Sequence, residues 1–73
     1  MDQQTAEVFD AFVRARHHAL LRYGTVLTGD LHSAADLVQD ALERTGLAWS
    51  RVQQQGDPEG YVRRVMANRS IST

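Results

Sequence analysis

The chain has 73 residues, of which 42% are apolar and 23% charged, with no cysteine and a net charge of −1. This length allows a single small domain, over residues 1–73, whose core is too small to wall off an enzyme pocket. The lack of cysteine excludes a disulfide and a thiolate metal site, and no apolar run resembles a membrane span or a signal peptide. We therefore expect a soluble, cytoplasmic, non-enzymatic domain without a metal, another cofactor or a membrane insertion.

Charge is distributed unevenly along the chain. Residues 30–44 carry four acids and one arginine, whereas residues 61–73 carry three arginines and no acid. The chain has 8 arginines and no lysine, and arginine suits bidentate contacts with phosphates, base edges and carboxylates. GC-rich coding would also favour arginine. The middle of the chain is therefore predicted to be acidic and its end basic.

Hydrophobic periodicity predicts a small all-α bundle of three or four helices and no strand. The first helix is expected from about Thr5 to Thr28, where apolar residues recur at three- and four-residue spacings. They are Phe9, Phe12, Val13, Leu20, Tyr23 and Leu27. Thr5 is predicted to be the N-cap, and Gly29 the left-handed residue that ends the helix.

The second helix is predicted from Leu31 or Ser33 to Ser50, with Asp30 or Ser33 as its N-cap. One face is apolar or small and consists of Ala34, Leu37, Val38, Ala41, Leu42, Thr45, Ala48 and Trp49. The opposite face consists of Asp36, Gln39, Asp40, Glu43 and, one turn later, Leu47. An apolar side chain among outward carboxylates indicates a docking patch, although one exposed leucine is also ordinary for a soluble protein.

A loop from Gln53 to Asp57 is predicted to separate the second helix from the third. Asp57 would cap the third helix, and Pro58 would be its first residue. The buried stripe is Val62, Val65 and Met66, and the outer face is Gly60, Arg63, Arg64, Ala67 and Ile71, with Asn68 on the flank. Arginines among small residues favour contact with phosphates and bases, although a solvated charged face is the alternative.

Two other groups of residues are interpreted as structural. Trp49 is expected to pack in the core, although an aromatic ring near a basic helix could also stack on a base. His17 and His18 are adjacent on a helix, so they point to different sides and cannot bind one metal together.

Three blocks of sequence, in this order, carry a family resemblance. They are Leu27-Thr28-Gly29-Asp30, then Ala35-Asp36-Leu37-Val38-Gln39-Asp40-Ala41-Leu42, then Asp57-Pro58-Glu59-Gly60-Tyr61-Val62-Arg63-Arg64-Val65 followed by Asn68. Together they resemble region 2 of bacterial sigma factors of the sigma-70 family, of the extracytoplasmic-function (group 4) type found in actinobacteria. The resemblance extends from about Phe9 to Ser72.

The resemblance implies a domain with two binding surfaces and no bond chemistry. The clamp helices of the RNA polymerase β′ subunit would bind the face formed by Asp36, Gln39, Asp40, Glu43 and Leu47. The −10 promoter element, with an unstacked base of its non-template strand, would be held by Arg51, Gln53, Gln54, Gln55, Gly56, Asp57, Tyr61, Arg63, Arg64, Asn68 and Arg69. An anti-sigma factor is a further candidate partner. Region 4, which reads the −35 element in the family, is expected to lie outside this chain.

Two departures and two alternatives stand beside this interpretation. Gly46 occupies a position where many members of the family carry a large residue, and Gly60 replaces a common alanine. Each glycine costs a helix up to about 1 kcal/mol, so we expect a loose end to the second helix. The alternative functions are a helical protein-interaction module and a conventional bundle that binds duplex DNA without melting it.

Overall fold

The structure is a computed structural model that describes residues 2–72. It contains four helices, which are α1 (Gln3–Thr28), α2 (Leu31–Leu47), α3 (Trp49–Gln55) and α4 (Pro58–Ser72). Helix α1 packs mainly on α2, and α4 packs against both. Residues 2–72 contain no strand, which confirms the predicted all-α bundle. No helix in this range is long and apolar enough to cross a membrane.

The start of α1 differs from the sequence-based prediction. Asp2 is the N-cap, and its Oδ1 accepts a 2.7 Å hydrogen bond from the backbone N–H of Thr5. This hydrogen bond lowers the pKa of the Asp2 carboxyl. The prediction of Thr5 as N-cap was therefore wrong, because a carboxylate one turn earlier satisfies its backbone N–H. The other end was predicted correctly, since Gly29 ends α1 with a φ of 88°.

Helix α2 begins as predicted and ends earlier than predicted. Asp30 is its N-cap and accepts a 2.7 Å hydrogen bond from the backbone N–H of Ser33. The last residue is Leu47 rather than Ser50, because the chain bends at Ala48 and starts the short helix α3. Gly46 lies two residues before this bend, near the end of the helix where a loose end is expected, but the apolar periodicity of α2 continues across the bend and gives no sign of it.

The bend brings Trp49 into the core, where its side chain is 2% exposed. Its ring contacts those of Phe9 and Phe12 at centroid distances of 5.0 and 5.4 Å, which confirms its prediction as a packing residue. Gly46 makes room for this cluster, since a Cβ atom there would lie 3.3 Å from two carbons of the Phe9 ring. The end of α2 is therefore covered by an aromatic ring from α1.

The core lies where α1, α2 and α4 meet. Its buried members are Leu20, Val38, Ala41, Leu42, Val62 and Met66. Half-buried apolar side chains from α1, α2 and α4 surround this cluster. Because every helix contributes only one apolar face, the polar faces of α2 and α4 are left on the outside of the bundle.

Candidate functional site

The outer side of α2 carries the five residues predicted to form one binding surface. We call this set the acidic face, which consists of Asp36, Gln39, Asp40, Glu43 and Leu47. Four of them are exposed and Asp40 is half-buried. Leu47 has 92% of its surface exposed, so an apolar side chain projects into water one turn beyond Glu43.

The carboxylates of the acidic face differ in their pairing. Asp36 lies 3.9 Å from the imidazole of His32, and Glu43 makes no ion pair within residues 2–72. Asp40, in contrast, contacts the guanidinium of Arg44 at 3.4 Å and also pairs with Arg69 of α4. Asp36 and Glu43 are therefore available to a partner, whereas Asp40 is already neutralised within the chain.

The pair of Asp40 and Arg69 lies on a groove that connects the two predicted binding surfaces. This open groove has a volume of about 620 Å³ and is lined by Leu27, Thr28, Ser33, Asp36, Leu37, Asp40, Arg69 and Ser70. A second groove, of about 660 Å³, lies at the joint of α2 and α3 and includes Leu47 and Arg51 in its lining. Each predicted surface thus borders a concave region.

The N-terminus of α4 has the predicted cap. Asp57 Oδ1 accepts a 3.0 Å hydrogen bond from the N–H of Gly60, and the Asp57 carbonyl accepts one from Tyr61 at 3.1 Å. Pro58 is the first residue of the helix. A Cβ atom at position 60 would collide with the capping carboxylate. Glycine at position 60 therefore leaves space for the Asp57 side chain that caps the helix.

The segment before α4 is mostly helical, so the predicted loop over Gln53–Asp57 was wrong. The three glutamines form the end of α3, and only Gly56 and Asp57 connect it to α4. Buried Val52 and Trp49 hold α3 against the core, and Gly56 ends it with a φ of 82°. The side chains of Gln53–Gln55 are nevertheless exposed, so they remain accessible to a ligand.

A hydrogen bond ties α3 to α4 beside these glutamines. The Arg51 Nη2 atom donates to the hydroxyl of Tyr61 over 3.3 Å. Arg51 is exposed and Tyr61 half-buried, so both predicted DNA-binding residues lie at one accessible corner of the molecule. Asn68 is exposed further along α4.

The arginines of α4 differ in whether their side chains are bound by other residues of the chain. Arg63 donates to Glu59 Oε2 at 2.8 Å and lies 4.7 Å over the centre of the Tyr23 ring. Arg69 is held by Asp40. Arg64 is exposed and makes no ion pair within residues 2–72. Of the three arginines of α4 that were predicted to bind DNA, only Arg64 is therefore uncompensated in this range.

Sequence reasoning missed the role of Glu59. Its Oε1 accepts a 2.6 Å hydrogen bond from Arg16 of α1 while Oε2 binds Arg63. The hydrogen bond from Arg16, followed by that from Arg63, lowers the pKa of the Glu59 carboxyl. The four-residue spacing of Glu59 and Arg63 could have indicated half of this network. No three His, Asp or Glu side chains gather as metal ligands in the described part of the chain.

Comparison with known proteins gives matches along most of the chain. The family model described as sigma-70 region 2 matches residues 8–73. An RNA polymerase sigma-E factor of Streptomyces coelicolor is 42% identical over 60 residues, which cover 82% of this chain and 34% of that protein. The factor of the same name from Streptomyces avermitilis gives the same figures. The chain thus spans about a third of the length of these curated relatives, and no solved structure matches significantly.

Proposed function

Because the chain belongs to the sigma-70 region 2 family, we propose that it binds RNA polymerase core and recognises and melts the −10 element of promoters. It acts by binding alone, since the bond chemistry of transcription belongs to the polymerase. Its place of action is then the cytoplasm. An anti-sigma factor that competes for one of its surfaces would be its regulatory partner.

The polymerase contact is assigned to the acidic face, with the β′ clamp helices as the partner. The observation that carries this proposal is the exposed Leu47 side chain one turn from Glu43, which has no ion pair in residues 2–72. Interfaces combine an apolar anchor with a polar rim, and Asp36, Gln39 and Glu43 supply such a rim. A basic partner would complement its charge.

The promoter contact is assigned to α4 and the end of α3. Arg64 is free to neutralise a phosphate, and the exposed amide of Asn68 suits a base edge. The glutamines of α3 can both donate and accept hydrogen bonds, as a pocket for an unstacked base requires. Extruding a base costs a few kcal/mol, so these contacts must recover that energy on the open strand.

Charge reversal tests the polymerase assignment. We expect Glu43→Arg to weaken binding to the isolated β′ clamp helices about tenfold or more, through repulsion of a basic partner. Glu7→Arg is the matched control, because Glu7 is an exposed acid on α1. Calorimetric titration measures both affinities, and circular dichroism checks that helicity is unchanged. Equal affinity of the two variants would show that the docking surface lies elsewhere.

Two variants test the two parts of the promoter assignment, which are the phosphate contact and the base preference. Arg64→Ala should weaken all single-stranded oligonucleotides alike and flatten the salt dependence by about 0.7 in log–log slope, the value of one lost phosphate contact. Replacing Gln53–Gln55 by alanine should keep that slope and remove the preference for one base at one position. Fluorescence anisotropy with oligonucleotides varied one base at a time measures both. A parent affinity that does not depend on salt would contradict the assignment.

A further inference from the structure

The outer side of α1 carries a basic stripe that the two proposed surfaces do not include. Arg14, His18 and Arg22 follow one another at four-residue steps, and all three are exposed. We call them the α1 stripe. The sequence has no acid between Asp10 and Asp30, so this part of the helix has no acidic neighbours of its own.

The α1 stripe is also left without a charge partner by the rest of the bundle. Within residues 2–72 none of its three members makes an ion pair, including with Asp10, which lies one turn before Arg14. Arg16, on the same helix, is neutralised by Glu59 at 2.6 Å. The chain thus compensates the arginine that faces α4 and leaves the outward pair uncompensated, although its net charge is −1.

The spacing of the α1 stripe fits a regular row of anions. Four residues of helix rise about 6 Å, so the three side chains start from points spread over about 12 Å. Phosphates on one strand of duplex DNA rise about 3.4 Å along the axis and also turn about it, so successive phosphates are about 7 Å apart in space, close to the step of the stripe. The helix backbone and the duplex are both rigid, so only the side chains of the stripe lose freedom when the two meet.

We propose that the α1 stripe binds the phosphate backbone of duplex DNA as a second, sequence-independent DNA contact. This inference rests on the proposed function, which brings promoter DNA to α4. Helix α4 is fixed to α1 by the ion pair of Glu59 with Arg16 and by the contact of Arg63 with the Tyr23 ring, so the stripe and Arg64 belong to neighbouring helices. The stripe would position the duplex that adjoins the opened segment and would carry no base preference.

The test compares two variants of equal charge in the full chain. Arg14→Gln with Arg22→Gln removes the two permanent charges of the stripe, and Gln3→Glu with Gln4→Glu changes the net charge equally at the exposed start of α1. Anisotropy is measured on a forked DNA, in which a duplex carries a single-stranded −10 segment, and on the single strand alone. Circular dichroism checks the fold of each variant.

We expect the stripe variant to bind the fork about tenfold more weakly at low salt, with the single-strand affinity no lower than that of the control. The log–log salt slope on the fork should fall by about 1.8, the value of two phosphate contacts. Equal fork affinities of the two variants would overturn the inference. So would a stripe variant that loses β′ binding and keeps fork binding, since the stripe would then serve an acidic protein.

Arg64→Ala on the same fork separates this inference from the proposed function. If Arg64→Ala weakens the fork and the stripe variant does not, α4 binds DNA and the stripe does not. If Arg64→Ala has no effect and the stripe variant weakens the fork, the promoter assignment of α4 fails while the duplex contact stands. A parent chain that binds neither DNA would overturn both.

Discussion

The acidic face of α2 and the arginines of α4 have opposite charge, and they also differ in how the chain treats that charge. On α2, Glu43 makes no ion pair within residues 2–72 and Asp36 has only a distant imidazole at 3.9 Å. On α4, Arg63 and Arg69 are each held by a carboxylate of the same chain. Two of the three carboxylates of the acidic face are therefore open, whereas two of the three arginines of α4 have internal partners.

This difference shows that the charge of a segment does not by itself measure what a partner can bind. Exposed ion pairs contribute only about 0–1 kcal/mol each, so phosphates can replace the carboxylates that pair with Arg63 and Arg69 at small cost. Until then the pairs hold the arginine side chains in place, which reduces the entropy lost on binding. The open carboxylates of α2 have no such preorganisation.

The largest expected effect comes from Trp49, which holds the joint of α2 and α3 near both surfaces. Trp49→Ala should lower the free energy of unfolding by about 3–5 kcal/mol, the usual cost of removing a buried aromatic ring. A core of this size supplies only about that much, so the variant should be largely unfolded. Urea titration followed by circular dichroism measures the loss, with Trp49→Phe as the conservative control. A variant as stable as its parent would show that Trp49 does not hold α3 against the core.

An intermediate effect is expected from Glu59, the partner of two arginines. Glu59→Gln should destabilise the chain by about 1 kcal/mol at neutral pH, because both ion pairs are lost. The folded-state pKa of Glu59 is lowered, so its stabilisation is present above the unfolded-state pKa and is lost as the pH falls through the folded value. Urea titrations from pH 7 to pH 2 should show the parent and the variant converging in acid. A constant difference would place the effect of Glu59 outside its charge.

The smallest effect concerns the pair that joins the two surfaces. Asp40→Asn should free Arg69 and strengthen single-strand binding about two- to fivefold, the range that follows from releasing one exposed ion pair. Glu43→Gln is the matched control, since it removes the same charge from α2 without touching Arg69. Anisotropy measures both variants. If the two bind equally, the internal pair does not limit the DNA contact and only net charge matters.

The faces of the helices were predictable from sequence, because the period of apolar residues determines which side packs. That period placed Val38 and Ala41 inside and Asp36 and Glu43 outside, as the structure has them. The caps at Gly29 and Asp57 were predictable from their residue types. These properties depend on residues a few positions apart, so a single sequence contains the information.

The pairing of the charges was not predictable to the same degree. Asp40 and Arg69 meet only because α2 and α4 pack at a particular angle, and Arg16 reaches Glu59 for the same reason. The helix α3 escaped prediction because its residues Trp49 and Val52 extend the apolar period of α2 across the bend. Which assigned residues bind polymerase or DNA stays a prediction until partners are measured.

The contact between Gly46 and the Phe9 ring has a consequence for recombination with other members of the family. The Phe9 ring of α1 fills the space beside position 46, where glycine leaves α2 without a side chain. A chimaera that takes α2 from a protein with a bulky residue at this position would overfill that volume, and overpacking costs typically 1–3 kcal/mol. Helices α1 and α2 should therefore be exchanged together, as one inherited unit.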